Sequence, residues 1–237
     1  MTLAREVLRG AREICSLANI PLAGGHSIDS AEPIFGLSVS GRVVLNNLKK
    51  NNTANAGDLI YITKPIGSGI LATAQKRGAI SNAHLSALIS QLTTLNTVGE
   101  ALGKIDGVTA MTDVTGFGLL GHLIEMAEGA GLSAHIHYSK VPVMDGAKEY
   151  LQQKTVPDAT YRNWNSYSAK TTFEKGVDVM EAFSLLPDPQ TNGGIMFTCS
   201  PDSRPLVEET LKDHNIVYAT TLGRMVEAEE KTITVFN

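Results

Sequence analysis

The sequence predicts a fold of the α+β or α/β class with mixed strand pairing, because predicted helices and strands alternate along most of the chain. Of its 237 residues, 43% are hydrophobic and 19% are charged, the composition of an ordinary globular chain with room for a sizeable core. The length allows one large domain or two small ones. No internal repeat or low-complexity tract stands out.

Composition and charge exclude several classes of function. The net charge of −4 provides no electrostatic case for binding nucleic acid or an anionic membrane. The cysteines, Cys15 and Cys199, have no paired spacing, which fits a reducing cytoplasm and not a disulfide framework or a zinc-thiolate site. No apolar run approaches the length of a membrane span, and Glu6 and Glu13 argue against a transit peptide. We therefore expect a cytoplasmic protein.

The first part of the chain is predicted to be an incomplete domain. Apolar residues at helical spacing predict a helix over 2–19, and strict alternation predicts a half-buried strand over 35–40. Such a unit is too small to bury a core of its own. The predicted division is a partial domain over 1–45, an Asn- and Lys-rich linker over 46–57, and a second domain over 58–237.

The second domain is predicted to be self-sufficient. We predict strands over 59–63, 108–112, 132–138, 195–199, 217–220 and 232–236. The predicted helices run from the Gly-rich turn after Lys64 to near Gly78, from a Ser81 or Asn82 cap through Leu102, from the glycines after residue 115 to a stop at Gly131, and from Ser200-Pro201 through Leu211. Residues 139–187 are less regular and predict two short helices.

The stretch 110–122 (AMTDVTGFGLLGH) has the strongest chemical pattern in the chain. It reads as a buried strand, then Asp113, a Gly-rich turn and the start of a helix. A carboxylate is a hard oxygen ligand suited to Mg²⁺, and a helix N-terminus with unpaired N–H groups favours an anion. The same pattern also occurs as a plain connection in which the aspartate caps the helix and the glycines supply positive φ. Both interpretations stay open on this stretch alone.

Residues 116–121 satisfy the G-x-G-x-x-G pattern, so a dinucleotide site is a rival interpretation. That pattern needs an acidic residue about twenty positions later to hold the ribose. Residues 135–140 (HIHYSK) contain none. Asp113 would also place a negative charge beside the pyrophosphate. The sequence therefore disfavours a nicotinamide or flavin cofactor.

Other candidate sites have weaker support. His135 and His137 lie on one face of a predicted strand, but no third histidine or cysteine ligand is placed with them. Lys64 precedes a Gly-rich turn without the P-loop spacing, so we expect a solvated lysine at a strand end. No G-x-S-x-G motif supports hydrolase chemistry.

Three stretches taken together point to a known family. They are 24–30 (GGHSIDS), 111–118 (MTDVTGFG) and 188–194 (DPQTNGG). In this order and wording they closely resemble the selenophosphate synthetase (selenide, water dikinase) family, part of the aminoimidazole-ribonucleotide-synthetase-like superfamily. The resemblance runs over essentially the whole chain.

The resemblance implies the rear part of an N-terminal α/β ATP-binding domain, followed by a complete C-terminal α+β domain with a mixed sheet. It implies a homodimer that binds ATP at the subunit interface and makes selenophosphate from selenide, ATP and water, releasing AMP and orthophosphate with Mg²⁺. Asp113 matches a metal ligand of the family. Gly25, His26 and Ser27 match a segment that reaches the nucleotide of the partner subunit.

The chain also departs from the family. Its members begin with a Gly-rich segment that bears a cysteine or selenocysteine, an essential lysine and further metal-binding aspartates, and this sequence contains no such segment. Cys15 and Cys199 match no catalytic position. We therefore expect no catalytic residue in this chain and no activity from it alone. The alternatives are a non-catalytic dimerising or binding scaffold and, less favoured, a dinucleotide-binding oxidoreductase.

Overall fold

The computed structural model describes residues 2–217 and 220–237, and the chain divides into two compact units, Met1–Val44 and Leu45–Asn237. The strand predicted over 217–220 includes residues 218 and 219, which lie outside the described residues. No helix in the described part of the chain is both long and apolar enough to cross a membrane. The predicted division at residues 45 and 57 stays a prediction.

The first unit contains one long helix, α1 (Thr2–Leu17), among its described residues. Ala11 and Cys15 are buried on one side of it. The strand predicted over 35–40 is wrong, because these residues are exposed and irregular. An isolated strand is stable only when another strand takes up its backbone hydrogen bonds, and residues 2–44 hold no second strand that could do so.

The second unit is built on a mixed sheet, which confirms the predicted α+β class. Within 45–217 and 220–237 the sheet has seven strands in the order β2-β5-β1-β6-β3-β7-β4. Strand β7 pairs in parallel with both β3 and β4, and the other pairings are antiparallel. The strands are β1 (Leu59–Ile62), β2 (Val108–Asp113), β3 (Ser133–His137), β4 (Thr171–Phe173), β5 (Ile195–Cys199), β6 (Gly223–Val226) and β7 (Ile233–Phe236).

The helices of this unit lie on both faces of the sheet. They are α2 (Ser68–Lys76), α3 (Asn82–Thr93), α4 (Val98–Gly103), α5 (Gly118–Ala130), α6 (Ala147–Gln152), α7 (Asp158–Tyr167), α8 (Val179–Leu185) and α9 (Arg204–Asp213). Because side chains alternate along a strand, Ile60 and Ile62 join a large core with α2 and α5, while Tyr61 joins a smaller core with α4 and α9. The smaller core draws its strand residues from β1, β2 and β5.

In the second unit most predicted elements are confirmed, with three differences among the described residues. The helix predicted through Leu102 is broken into α3 and α4, because Thr94 is extended (ψ 121°) and distant side chains take up the last carbonyls of α3. Three helices and strand β4 occupy 139–187, where two helices were expected. Strand β6 was missed because Gly-Arg-Met-Val is short and contains a glycine, a poor strand former.

Candidate active site

Asp113 is the last residue of the edge strand β2, opposite Ile195 of β5, and its side chain is exposed. Helix α5 begins only at Gly118, and Phe117 at its N-cap makes no side-chain cap bond. The interpretation of Asp113 as a helix cap is therefore wrong. Across the described residues its carboxylate enters no hydrogen bond or ion pair, so both oxygens are free for a cation.

The turn after Asp113 is held by His122 of α5. The backbone N–H of Thr115 donates to His122 Nε2 (3.1 Å), and the Thr115 hydroxyl lies 3.2 Å from the same nitrogen. On the other side of the ring, His122 Nδ1 lies 3.5 Å from Glu125 Oε2 without hydrogen-bond geometry. His122 is buried. The buried ring therefore holds the turn in place through its contacts with Thr115.

Asn163 of α7 ties this turn to the segment that precedes β5. Its Nδ2 donates to the Gly116 carbonyl (2.8 Å) and to the Pro187 carbonyl (2.9 Å). The backbone N–H of Gln190 also donates to the Thr115 carbonyl (2.9 Å). The T-D-V-T-G-F-G and D-P-Q-T stretches are therefore packed into one rigid structure.

The first turn of α5 is not an open anion site, which corrects the expectation for this helix. The backbone N–H of Leu120 donates to the Leu186 carbonyl (3.0 Å). Gly118 has φ +70°, and a Cβ added there would come within 2.6 Å of the Pro187 carbonyl carbon. Gly118 and Gly121 serve close packing, so the structure offers no pyrophosphate cradle at G-x-G-x-x-G.

The D-P-Q-T segment caps helix α2 from a distance. Gln190 Oε1 accepts hydrogen bonds from the backbone N–H groups of Gly67 (3.1 Å) and Ser68 (3.2 Å) and from the Ser68 hydroxyl. Asp188 Oδ2 accepts from the backbone N–H of Gly69 (3.1 Å) and from Gln190 Nε2 (2.8 Å). The otherwise unpaired N–H groups of α2 are thus satisfied by side chains, and the helix dipole favours the carboxylate there.

Asp188 is fully buried, and its Oδ1 has no hydrogen-bond partner among the described residues. Desolvation raises the pKa of this carboxyl to about 7, against the lowering effect of the bonds from Gln190, Ile70 and Gly69. The group therefore changes its protonation state near neutral pH while it caps α2.

Lys64 and Asn192 close the C-terminal end of α3. Lys64 Nζ donates to the carbonyls of Thr94 (2.7 Å) and Asn192 (3.1 Å), and Asn192 Nδ2 donates to the carbonyls of Leu92 and Thr94, both at 2.9 Å. The expectation of a solvated Lys64 is wrong, because the side chain is buried and burial lowers its pKa to about 8. A cation at a helix C-terminus is favoured by the dipole.

The other predicted site residues belong to both units of the chain. Gly25, His26 and Ser27 are exposed in an irregular segment of the first unit, and their role stays a prediction. His135 binds Glu229 (2.9 Å), and no group of three or more histidine, cysteine or acidic side chains that could hold a metal occurs in the part of the chain that the structure describes.

Sequence reasoning missed His122 and Asn163. The α5 pattern contained His122 but gave no sign that its ring turns back to the preceding loop. No signal in the sequence connects Asn163 to the loop it holds, since 47 residues separate it from Gly116.

Comparison with known proteins identifies a family and several relatives that this chain resembles. The profile of the family "AIR synthase related protein, C-terminal domain" matches residues 55–236. The selenide, water dikinase of Pseudomonas putida is 44% identical over 98% of this chain and 66% of its own length. That of Colwellia psychrerythraea is 43% identical over 99% of this chain and 67% of its own length. The chain therefore spans about two thirds of the length of these relatives.

Solved structures share the fold. Hydrogenase maturation protein HypE in complex with ATP has a TM-score of 0.60 at 17% identity, over 82% of this chain and 52% of that one. Thiamine-monophosphate kinase from Stenotrophomonas maltophilia has a TM-score of 0.55 at 18% identity, over 79% of this chain and 52% of that one. At this identity the likeness concerns the fold alone. The family profile and the curated relatives establish the family by sequence: the chain belongs to the selenide, water dikinase family.

Proposed function

We propose that this chain is the larger part of an enzyme that makes selenophosphate from selenide, ATP and water, releasing AMP and orthophosphate in a Mg²⁺-dependent phosphoryl transfer. The observation that carries the proposal is the free carboxylate of Asp113, on a turn held at Thr115 and Gly116 by side chains and backbone of three other segments. The relatives named selenide, water dikinase, at 43–44% identity, support the choice of reaction.

The residues present fit one part of a magnesium site. Mg²⁺ prefers oxygen ligands and is usually held by one or two protein carboxylates together with substrate phosphates and water. Asp113 supplies one exposed carboxylate, and the rest of the described chain supplies no cluster of further ligands around it. When bound, the metal would offset the negative charge that gathers on the transferred phosphoryl group.

The contribution of this chain is to position that carboxylate. Catalysis of phosphoryl transfer depends mainly on positioning the reacting groups and on electrostatic stabilisation of the transition state. The bonds of His122 to Thr115 and of Asn163 to Gly116 fix the turn, so Asp113 does not have to be ordered when the substrate arrives.

The remaining parts of the proposal come from the family resemblance. Gly25, His26 and Ser27 are proposed to contact the ATP of the partner subunit in a cytoplasmic homodimer. The proposed domain division is 1–45, 46–57 and 58–237. Because the chain spans two thirds of its relatives, we propose that the catalytic nucleophile and further metal ligands belong to the segment it does not match, and that the chain alone is inactive.

The test is selenide-dependent AMP release with Mg²⁺ and ATP, measured for this chain and for the chain extended by the N-terminal segment of a relative. We expect release only from the extended protein. Release by the chain alone would overturn the proposed inactivity. An extended protein that binds ATP and Mg²⁺ but releases AMP at the same rate with and without selenide would overturn the proposed reaction.

A further inference from the structure

A groove rich in basic side chains lies on the sheet face that also carries Tyr61. Asp113 belongs to the same face, but on the edge strand β2, three strands away. Arg224 of β6 pairs in register with Leu59 of β1 and with His135 of β3, so these three side chains lie in one row on one face. The strand order puts β6 three strands from β2, or about 14 Å at the usual strand spacing. The groove is therefore separate from the candidate magnesium site.

The groove is formed by strands β1, β3, β6 and β7 and helix α9 of the second unit. Lys140 follows β3 and Arg204 is the first residue of α9, while His137 and Phe236 face each other across β3 and β7. They line a cavity of about 370 Å³, and a neighbouring cavity of about 470 Å³ shares Lys140 and Arg204 with it. This volume lies within the range of small-molecule sites, roughly 300–1,000 Å³.

The permanently charged side chains that line the first cavity are cationic, and carboxylates at its edge pair with two of the basic residues. Among the described residues that line the first cavity are three permanent cations and two histidines, without a carboxylate. Glu208 pairs with Arg204 (2.8 Å) and Glu229 pairs with His135 (2.9 Å).

Lys140 and Arg224 make no ion pair with any described residue. In a chain with a net charge of −4, this is a strong local concentration of positive potential, and the N-terminus of α9 adds to it at Arg204.

We propose that this groove binds a small phosphate-bearing molecule. Arg224 supplies a planar set of donors for phosphate oxygens, and Lys140 supplies a second charge from the neighbouring turn. The ring of Phe236, with its centroid 5.2 Å from that of His135 and 5.9 Å from that of His137, gives the groove an aromatic side against which an organic part of the ligand can pack. This inference does not rest on the proposed function.

The experiment is calorimetric titration of the chain with inorganic phosphate, pyrophosphate and AMP, one at a time at low ionic strength. The variants are Arg224→Gln and the double variant Arg224→Gln/Lys140→Gln, whose side chains are exposed and leave the core intact. Lys148→Gln is the matched control, because Lys148 is an exposed lysine on α6 that pairs with Glu181 outside the groove. Thermal melts establish that each variant is folded.

We expect at least one of the three compounds to bind the wild type with one-to-one stoichiometry, and its Kd to rise at least tenfold in the double variant while Lys148→Gln stays within twofold. Tighter binding of AMP than of inorganic phosphate and pyrophosphate would assign the ligand as an organic phosphate, and the reverse order would assign a free phosphate anion. Absence of binding by all three compounds, or binding that the double variant leaves unchanged, would overturn the proposal. Asp113→Asn should not affect this binding, so failure of the magnesium site would be seen separately.

Discussion

The backbone N–H of Thr115 donates to His122 Nε2 across 3.1 Å, and this bond specifies the state of the ring. A nitrogen that accepts a hydrogen bond carries no proton, so the proton of the neutral imidazole is on Nδ1, which faces Glu125. His122 is thus a neutral acceptor that holds the second residue after Asp113.

Replacement of His122 should separate this acceptor role from simple packing. In His122→Leu the Thr115 N–H loses its partner, which should lower the free energy of unfolding by about 1–3 kcal/mol. His122→Gln can place an amide oxygen near the position of Nε2 and should lose less than half as much. Urea unfolding measures both. Equal losses in the two variants would mean that the hydrogen bond to Thr115 is unimportant.

Asp113→Asn should leave stability within about 0.5 kcal/mol of wild type, because Asp113 caps no helix and its side chain is exposed. In the extended enzyme, loss of the charge should raise the Mg²⁺ concentration needed for half-maximal activity at least tenfold, since changes around a metal ligand alone cost about 10–100-fold. Metal titrations of AMP release provide the measurement. An unchanged Mg²⁺ requirement would remove Asp113 from the site.

Gly118→Ala should be strongly destabilising, because φ is +70° and the new Cβ would collide with backbone atoms of Pro187. The strain and the overpacking together predict a loss of about 2–4 kcal/mol. Gly116→Ala is the matched control two residues away, with ordinary φ and nothing within 4 Å of the added Cβ. Chemical unfolding of both variants should show a difference, and similar losses would contradict the packing found at Gly118.

Asp188 should make stability depend on pH. Its pKa is raised from 3.8 to about 7 in the folded protein, so between these values the folded state binds the proton that the unfolded state has released. The stabilisation is complete below pH 4 and is lost as the pH rises through 7. The stability of the wild type relative to Asp188→Asn should therefore fall by up to about 4 kcal/mol from pH 4 to pH 8. Parallel pH profiles of unfolding would contradict this.

Self-association is expected from the first unit. Its exposed apolar residues include Leu3, Leu17, Ile28, Ile34 and Val39. Exposed apolar surface of this kind favours contact with a partner, in agreement with the proposed homodimer. Sedimentation velocity at tens of micromolar chain, roughly the range a weak interface needs, should detect dimers. A single monomeric species at that concentration would count against the prediction.

The sequence was sufficient where local patterns decide structure. Strands β1, β2 and β5 and the stop of α5 at Gly131 (φ +70°) follow from short apolar runs and glycine chemistry. The sequence was insufficient where the structure depends on side chains that are distant along the chain. The break after α3 depends on Lys64, and the capping of α2 depends on Gln190, which lies 122 residues from Ser68.

The same is true of the candidate site. The motif at 112–118 identified Asp113 as a potential ligand, because a carboxylate after a strand is visible in the sequence. The residues that hold its turn could not be found this way, since Asn163 lies on a separate helix and His122 acts through the direction of its ring.

The position of β5 has a consequence for synthesis on the ribosome. Strand β5 lies between β2 and β1 in the sheet, yet it is made after both. Until residues 188–199 emerge, β2 has no strand partner and the N-terminus of α2 has no side chain to cap it. At about 5–20 residues per second, β1 waits about 7–27 seconds for β5 to be synthesised. During that interval the nascent chain exposes strand edges that a chaperone can bind, and a release before residue 199 yields a product unable to complete its sheet.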